Sequence, residues 1–89
     1  MSFGVFVHPK AARFLKKTDR SLRRNLTENL AELADSPEEK GERLIRSPFW
    51  RLRVGDYHVI YDIDRKHSRV IILFIGHRRD VYEEFSRLL

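Results

Sequence analysis

The chain has 89 residues, no cysteine, and 18 Lys+Arg against 13 Asp+Glu, for a net charge of +5 and a pI of about 10.0. That length makes one domain spanning 1–89, with no room for a second core. The missing cysteines exclude a disulfide framework and a thiolate metal site. No run of about 18 apolar residues occurs, which excludes a membrane-spanning helix. The opening "MSFGVFVHPK" has neither the basic segment nor the apolar run of a secretory leader, so a cytoplasmic protein is expected.

Thirteen of the 18 cations are arginine. The planar guanidinium fork matches phosphate geometry, whereas lysine is a hydrated point charge. An arginine-weighted basic domain points to nucleic acid or an acidic protein as partner. The competing reading is a surface rich in ion pairs, of the kind found in heat-loving organisms, and the absence of Cys and Gln fits it.

Phe3 to His8 alternates around β-branched and aromatic residues and predicts a first strand. Pro9 suits the first turn of a short helix, with Ala11, Phe14 and Leu15 as its apolar face. Thr18 or Asp19 can cap a second helix. There Leu22, Leu26, Leu30 and Leu33 recur at helical spacing, predicting an amphipathic helix to about Asp35 and an antiparallel helical hairpin. "SPEEKGE" reads as a loop. From Phe49 the period becomes two, with Trp50, Leu52 and Val54 on one side and Arg51 and Arg53 on the other. Gly55-Asp56 predicts a two-residue hairpin turn. The next strand runs from Tyr57 to Ile63, and the apolar run Val70 to Ile75 suits a strand inside the sheet. Val81, Phe85 and Leu88 then mark a short C-terminal helix. The order is β-α-α-β-β-β-α, an α+β fold with an antiparallel-type sheet and the helices packed on one face.

A two-residue turn fixes the pairing. Val54 faces Tyr57, Arg53 faces His58, Leu52 faces Val59 and Arg51 faces Ile60. Opposed residues share a face, so Trp50, Leu52, Val54, Tyr57, Val59 and Tyr61 meet the helices, while Arg51, Arg53 and His58 gather on the other side. That second face could be plain solvent surface. Against this, Arg53 opposite His58 sets a cation against a potential cation, which costs stability unless an anion comes between them. The nearest acid recognisable on that face is Asp62.

The string "ERLIRSPFWRLRVGDYHVIYDI", followed by "GHRRDVY", resembles the RelE/ParE superfamily of bacterial and archaeal toxins, and more specifically its RelE-type branch, over essentially the whole chain. The resemblance implies a toxin that cleaves mRNA in the ribosomal A site without metal or other cofactor, neutralised by an acidic RelB-like antitoxin encoded beside it. It places Arg51 and Arg53 at the family's pair of strand cations. Arg78 falls at the arginine ending the last core strand, and Tyr82 at the C-terminal tyrosine. His58 departs from the arginine of many relatives, and the best-known branch has lysine for the strand cations. Arginine is effectively never deprotonated, so neither Arg51 nor Arg53 is a credible base.

Metal-free cleavage, in which the ribose 2′-OH attacks the adjacent phosphate, needs a base, an acid and cations for the phosphorane charge. Arg51, Arg53 and Arg78 are candidates for the charge, and His58 and Tyr82 for proton transfer or base stacking. Each has a structural alternative: Tyr82 as a core-edge aromatic, Arg78 and Arg79 as caps on strand ends. His77 and Arg79 are further candidates to touch substrate. Lys16, Lys17, Arg20, Arg23 and Arg24 form either a solvated helical face or an RNA-docking patch. No two histidines have metal-ligand spacing, so no metal is expected. A second function class stays open, a ParE-like toxin that binds DNA gyrase and cleaves nothing. An inactive RNA-binding relic is a third.

Overall fold

The computed structural model describes residues 2–87. In chain order the elements are β1 (Gly4–Val7), α1 (Pro9–Lys17), α2 (Arg20–Glu32), α3 (Pro37–Lys40), β2 (Glu42–Arg43), β3 (Trp50–Val54), β4 (Tyr57–Asp64), β5 (Arg69–His77) and α4 (Val81–Ser86). The strands form one sheet in the order β1-β5-β4-β3-β2. All neighbours are antiparallel except β1 and β5, which run parallel because the α1–α2 hairpin carries the chain back across the sheet.

The helical hairpin forms for local reasons. Pro9 opens α1 and His8 Nδ1 accepts the Lys10 N–H. Asp19 caps α2 by accepting the Leu22 N–H at 2.7 Å. Arg23 then reaches back to the carbonyls of Leu15, Lys16 and Thr18, supplying donors for the open C-terminal end of α1. Leu26, Leu30 and Leu33 pack with Ala11 onto Leu52, Val54, Val59, Tyr61, Val70, Ile72 and Ile75, the main core.

The β3–β4 hairpin has the expected pairing, from Val54↔Tyr57 to Arg51↔Ile60. Gly55 lies at φ +59°, a conformation that glycine adopts without a Cβ penalty.

Three sequence expectations are revised. The segment expected as a charged loop carries α3 and the two-residue edge strand β2; the buried Tyr61 pins it by donating its hydroxyl to Pro37 O at 2.6 Å. The sheet is mixed rather than antiparallel throughout. The helices are not all on one face. Val81 and Phe85 of α4 cluster with Ile60, Phe74 and Phe49, and Ile60 points away from its neighbour Tyr61 in the main core. α4 therefore covers part of the face opposite the helical hairpin. Leu88 lies outside the described residues.

Candidate active site

The second face brings Arg51, Arg53, His58 and Tyr82 together. Arg51 and Arg53 alternate on β3, and His58 enters opposite Arg53 from β4. Tyr82 comes from the first turn of α4, which can lie close because Gly76, the β5 partner of His58, has no side chain. A Cβ there would meet the Val81 side chain at 3.3 Å.

Arg51 is the hub. Its Nη1 donates to the Tyr82 hydroxyl at 2.7 Å and its Nη2 to Glu42 Oε2 at 2.7 Å. Its side chain is only 18% exposed, so the fork is fixed by two partners rather than swept through solvent. The Tyr82 bond, against the opposing effect of burial, and then the Glu42 bond hold the guanidinium more firmly in its charged form. Because the Tyr82 oxygen accepts from Arg51, its own O–H remains to donate elsewhere.

His58 is buried, with its ring edge-on to Tyr82 at 5.6 Å between centroids. Burial foremost, then the charges of Arg51, Arg53, Arg78 and His77, pushes its pKa below the usual histidine value. Burial, not the arginines alone, keeps the ring neutral. Among the described residues, His58 Nδ1 and Arg51 Nε are buried without a hydrogen-bond partner. Each such orphan costs about 1–3 kcal/mol, an expense that a purely structural surface would avoid.

Arg78 flanks the cluster. Its backbone N–H donates to Asp56 O at 2.8 Å and its Nε lies 3.8 Å from Asp56 Oδ1, so the hairpin turn tethers an otherwise exposed cation. The Arg78 charge is felt at His58.

The other proposed contacts do not join the cluster. His77 pairs with Tyr57 and packs edge-on against it at 5.4 Å, which puts it on the face of the helical hairpin. Arg79 is exposed and its N–H is bonded to His77 Nδ1. Lys16, Lys17, Arg20, Arg23 and Arg24 belong to α1 and α2, behind the sheet as seen from Arg51. Arg23 is occupied as the cap of α1.

Sequence reasoning missed Glu42. It pairs directly with Arg51 across β2 and β3, and the bond from Arg51, followed by the charges of Arg51 and Arg53, holds its carboxyl below the usual range. The available signal was an acid opposite a strand arginine across the turn "IRSP", but two residues are too short a strand to show a period. Among the described residues, no three His, Cys, Asp or Glu side chains are grouped to hold a metal ion.

A groove of about 480 Å³ opens beside this cluster, between the β2–β3 loop and α4. Glu42, Arg43, Leu44, Ile45, Ser47, Phe49, Arg51, Tyr82 and Phe85 line it.

The family model for the ParE toxin of type II toxin–antitoxin systems (parDE) matches residues 5–82. No curated protein matches the chain. Among solved structures, the RelBE2 toxin–antitoxin complex from Mycobacterium tuberculosis is similar with a TM-score of 0.81 at 28% identity, covering 88% of this chain and 100% of that one. The archaeal RelE–RelB complex from Pyrococcus horikoshii follows at 0.75 and 26%, covering 88% and 97%. The intact RelBE complex from E. coli, at 0.73 and 19% identity over 85% and 96% of the two chains, shares the fold. With a toxin-family model over most of its length and RelE-type structures superposing on its sheet and helices, the chain belongs to the RelE/ParE superfamily of toxin–antitoxin toxins and has the RelE-type fold.

Proposed function

We propose that this toxin is a ribosome-dependent endoribonuclease that cleaves mRNA by attack of a ribose 2′-OH on the adjacent phosphate. The observation that supports the reading best is the Arg51–Tyr82 bond over a buried His58, flanked by the exposed Arg53 and the tethered Arg78. Attack of the 2′-oxygen on phosphorus builds negative charge on the phosphorane oxygens and expels the 5′-oxygen, which must take up a proton. Arg51, Arg53 and Arg78 face the growing charge, and a single well-placed donor of this kind contributes about 3 kcal/mol to the barrier. Tyr82, its O–H free to donate, is placed to protonate the leaving oxygen or to stack on a base. Stacking contributes ~1–3 kcal/mol. His58 supplies a further positive charge when a phosphate offsets the surrounding arginines. Since Arg51 and Arg53 cannot act as bases, the site is strong in charge and poor in proton acceptors. It therefore depends on the ribosome to align the 2′-OH for attack. No metal takes part in this scheme.

The partners in this reading are translating ribosomes with their mRNA and a small acidic RelB-like antitoxin encoded next to the toxin. The cytoplasm is where they meet. No described helix is long and apolar enough to cross a membrane. A second reading, inhibition of DNA gyrase without cleavage, takes its support from the ParE description of the matching family model. Primer extension on message translated in a purified system separates the two. Chelator-resistant breaks within codons, with little cutting of naked RNA, are expected. Unbroken message together with trapped gyrase–DNA complexes would establish the ParE-like reading instead.

A further inference from the structure

We infer that the groove between the β2–β3 loop and α4 is a nucleobase subsite, and that Glu42 selects a base presenting adjacent N–H donors, guanine before all others. The inference rests on the endoribonuclease reading and deepens it by naming what the site reads.

Continuity with the phosphate-facing cluster is the first observation. Arg51 and Tyr82 line the groove and also form the centre of the proposed site. A phosphate held at Arg51 carries its nucleoside with it, and the groove is the concavity within one ribose of that point. Its walls suit a flat aromatic ring. Phe49 and Phe85 meet edge to face at 5.3 Å, and Leu44 extends the apolar surface. Ile45, 91% exposed, stands at the rim. Mostly apolar walls with a few polar groups are the usual make-up of a small-ligand site.

The loop is set in advance of binding. Leu44 N–H donates to Phe49 O at 2.9 Å, Arg43 Nε to Ser47 O at 3.2 Å, and Phe49 N–H to Ser47 Oγ at 3.0 Å. Arg46 is held at φ +57°, a left-handed conformation that a non-glycine residue keeps only where its surroundings impose it.

Glu42 is the remaining observation. A carboxylate beside a phosphate site repels RNA, so its presence calls for an offsetting use. Part of that use is the bond from Arg51, which occupies Oε2 alone; the side chain is still 66% exposed. The ionised carboxylate is acceptor-only. The adjacent N1–H and N2–H of guanine can fork onto it, whereas uracil offers one N–H between two carbonyl oxygens that the carboxylate repels. Adenine and cytosine, with one amino group each beside a ring acceptor, fall between.

The test uses the full chain without ribosomes, so that it does not share its outcome with the cleavage assay. Amide shifts are followed while 3′-GMP or 3′-UMP is added. Shifts at Leu44, Ile45, Phe49 and Phe85 are expected, with GMP bound at least about tenfold more tightly. In Glu42→Gln the amide can still accept from Arg51 but turns a donor toward the base, and the preference should fall below about threefold. On ribosomes, the census of cut sites should lose its guanine bias in the same variant. Equal binding of the two nucleotides, shifts confined to Arg53 and Arg78, or a Glu42→Gln protein slowed equally at every cut site would each overturn the inference. Message left unbroken by the unaltered protein would instead defeat the endoribonuclease reading, whatever the nucleotide titration showed.

Discussion

The Tyr82 hydroxyl, delivered by α4, lies 2.7 Å from a guanidinium nitrogen of Arg51 on β3, although 31 positions separate them in the chain. The bond ties the C-terminal helix to the cationic strand, so the geometry at the proposed phosphate site depends on how α4 docks. Tyr82→Phe removes the oxygen but keeps the ring beside His58 and in the Ile60–Phe85 cluster. Cleavage should drop at least about tenfold, within the range of a single lost proton-transfer group. The melting temperature should hardly move. Full activity in Tyr82→Phe would reduce Tyr82 to packing or stacking.

Arg78→Ala separates charge from fold more cleanly. The side chain is exposed and its one ion pair, to Asp56 at 3.8 Å, contributes little to stability in water. The backbone bond that fixes the strand end, Arg78 N–H to Asp56 O, survives the substitution. At least about a tenfold loss of cleavage with an unchanged unfolding curve is expected. Equal losses in both measurements would return Arg78 to a strand-end role.

The hairpin was legible from Trp50 to Tyr61 because a period of two and a two-residue turn leave a single register, and with it the meeting of Arg51, Arg53 and His58. What lay beyond that local rule was hidden. Glu42 sits on a strand too short to alternate. The spacing of Val81 and Phe85 gives a helix an apolar side but cannot say which face of the sheet it covers. His77 could be assigned to a face only through the β4–β5 pairing, where a bulge at Ile60/Tyr61 shifts the register and defeats simple counting.

At the far end of the sheet Asp64 collects Arg69 Nη2 at 2.7 Å and His67 Nδ1 at 2.9 Å. The Arg69 bond first, then the His67 bond, holds its carboxyl at about 2. A depressed carboxyl stabilises the fold above its unfolded value and loses that contribution as pH falls through its folded value. The contribution should therefore be complete above about pH 4 and fade toward pH 2. Asp64→Asn should lower the melting temperature at neutral pH and flatten its decline in that window. An unaltered acid limb would show the cluster to be energetically silent.

Gly76→Ala tests the docking of α4 directly. The new Cβ would lie 3.3 Å from Val81 Cβ and 3.4 Å from Val81 Cγ2, so the helix must retreat by a few tenths of an ångström. Overpacking of this kind costs about 1–3 kcal/mol, which urea unfolding would read. Retreat also pulls Tyr82 from Arg51, so cleavage should fall by more than the lost stability explains when measured well below the unfolding midpoint. Activity retained in a destabilised variant would show that the Arg51–Tyr82 distance is not critical.

His58 links the burial of the site to its pH dependence. With a folded pKa below the ordinary value of about 6.5, the free protein leaves His58 neutral where the unfolded chain already binds a proton. Stability due to this group is complete above about pH 6.5 and declines as pH falls through the folded value. His58→Phe keeps a ring against Tyr82 without a titrating group, and should remove that part of the decline. A bound phosphate reverses the bias by setting a negative charge among Arg51, Arg53 and His58, which favours the imidazolium. Cleavage should accordingly fall as pH rises past neutrality. His58→Arg, which carries the charge permanently, should keep substantial activity and flatten the profile, while His58→Ala should be slow at every pH. Rates across the range for the three proteins, each checked for an intact fold, decide the matter. An arginine variant as inactive as the alanine one would show that the ring must exchange a proton rather than hold a charge, and His58 would then be the acid or base of the reaction.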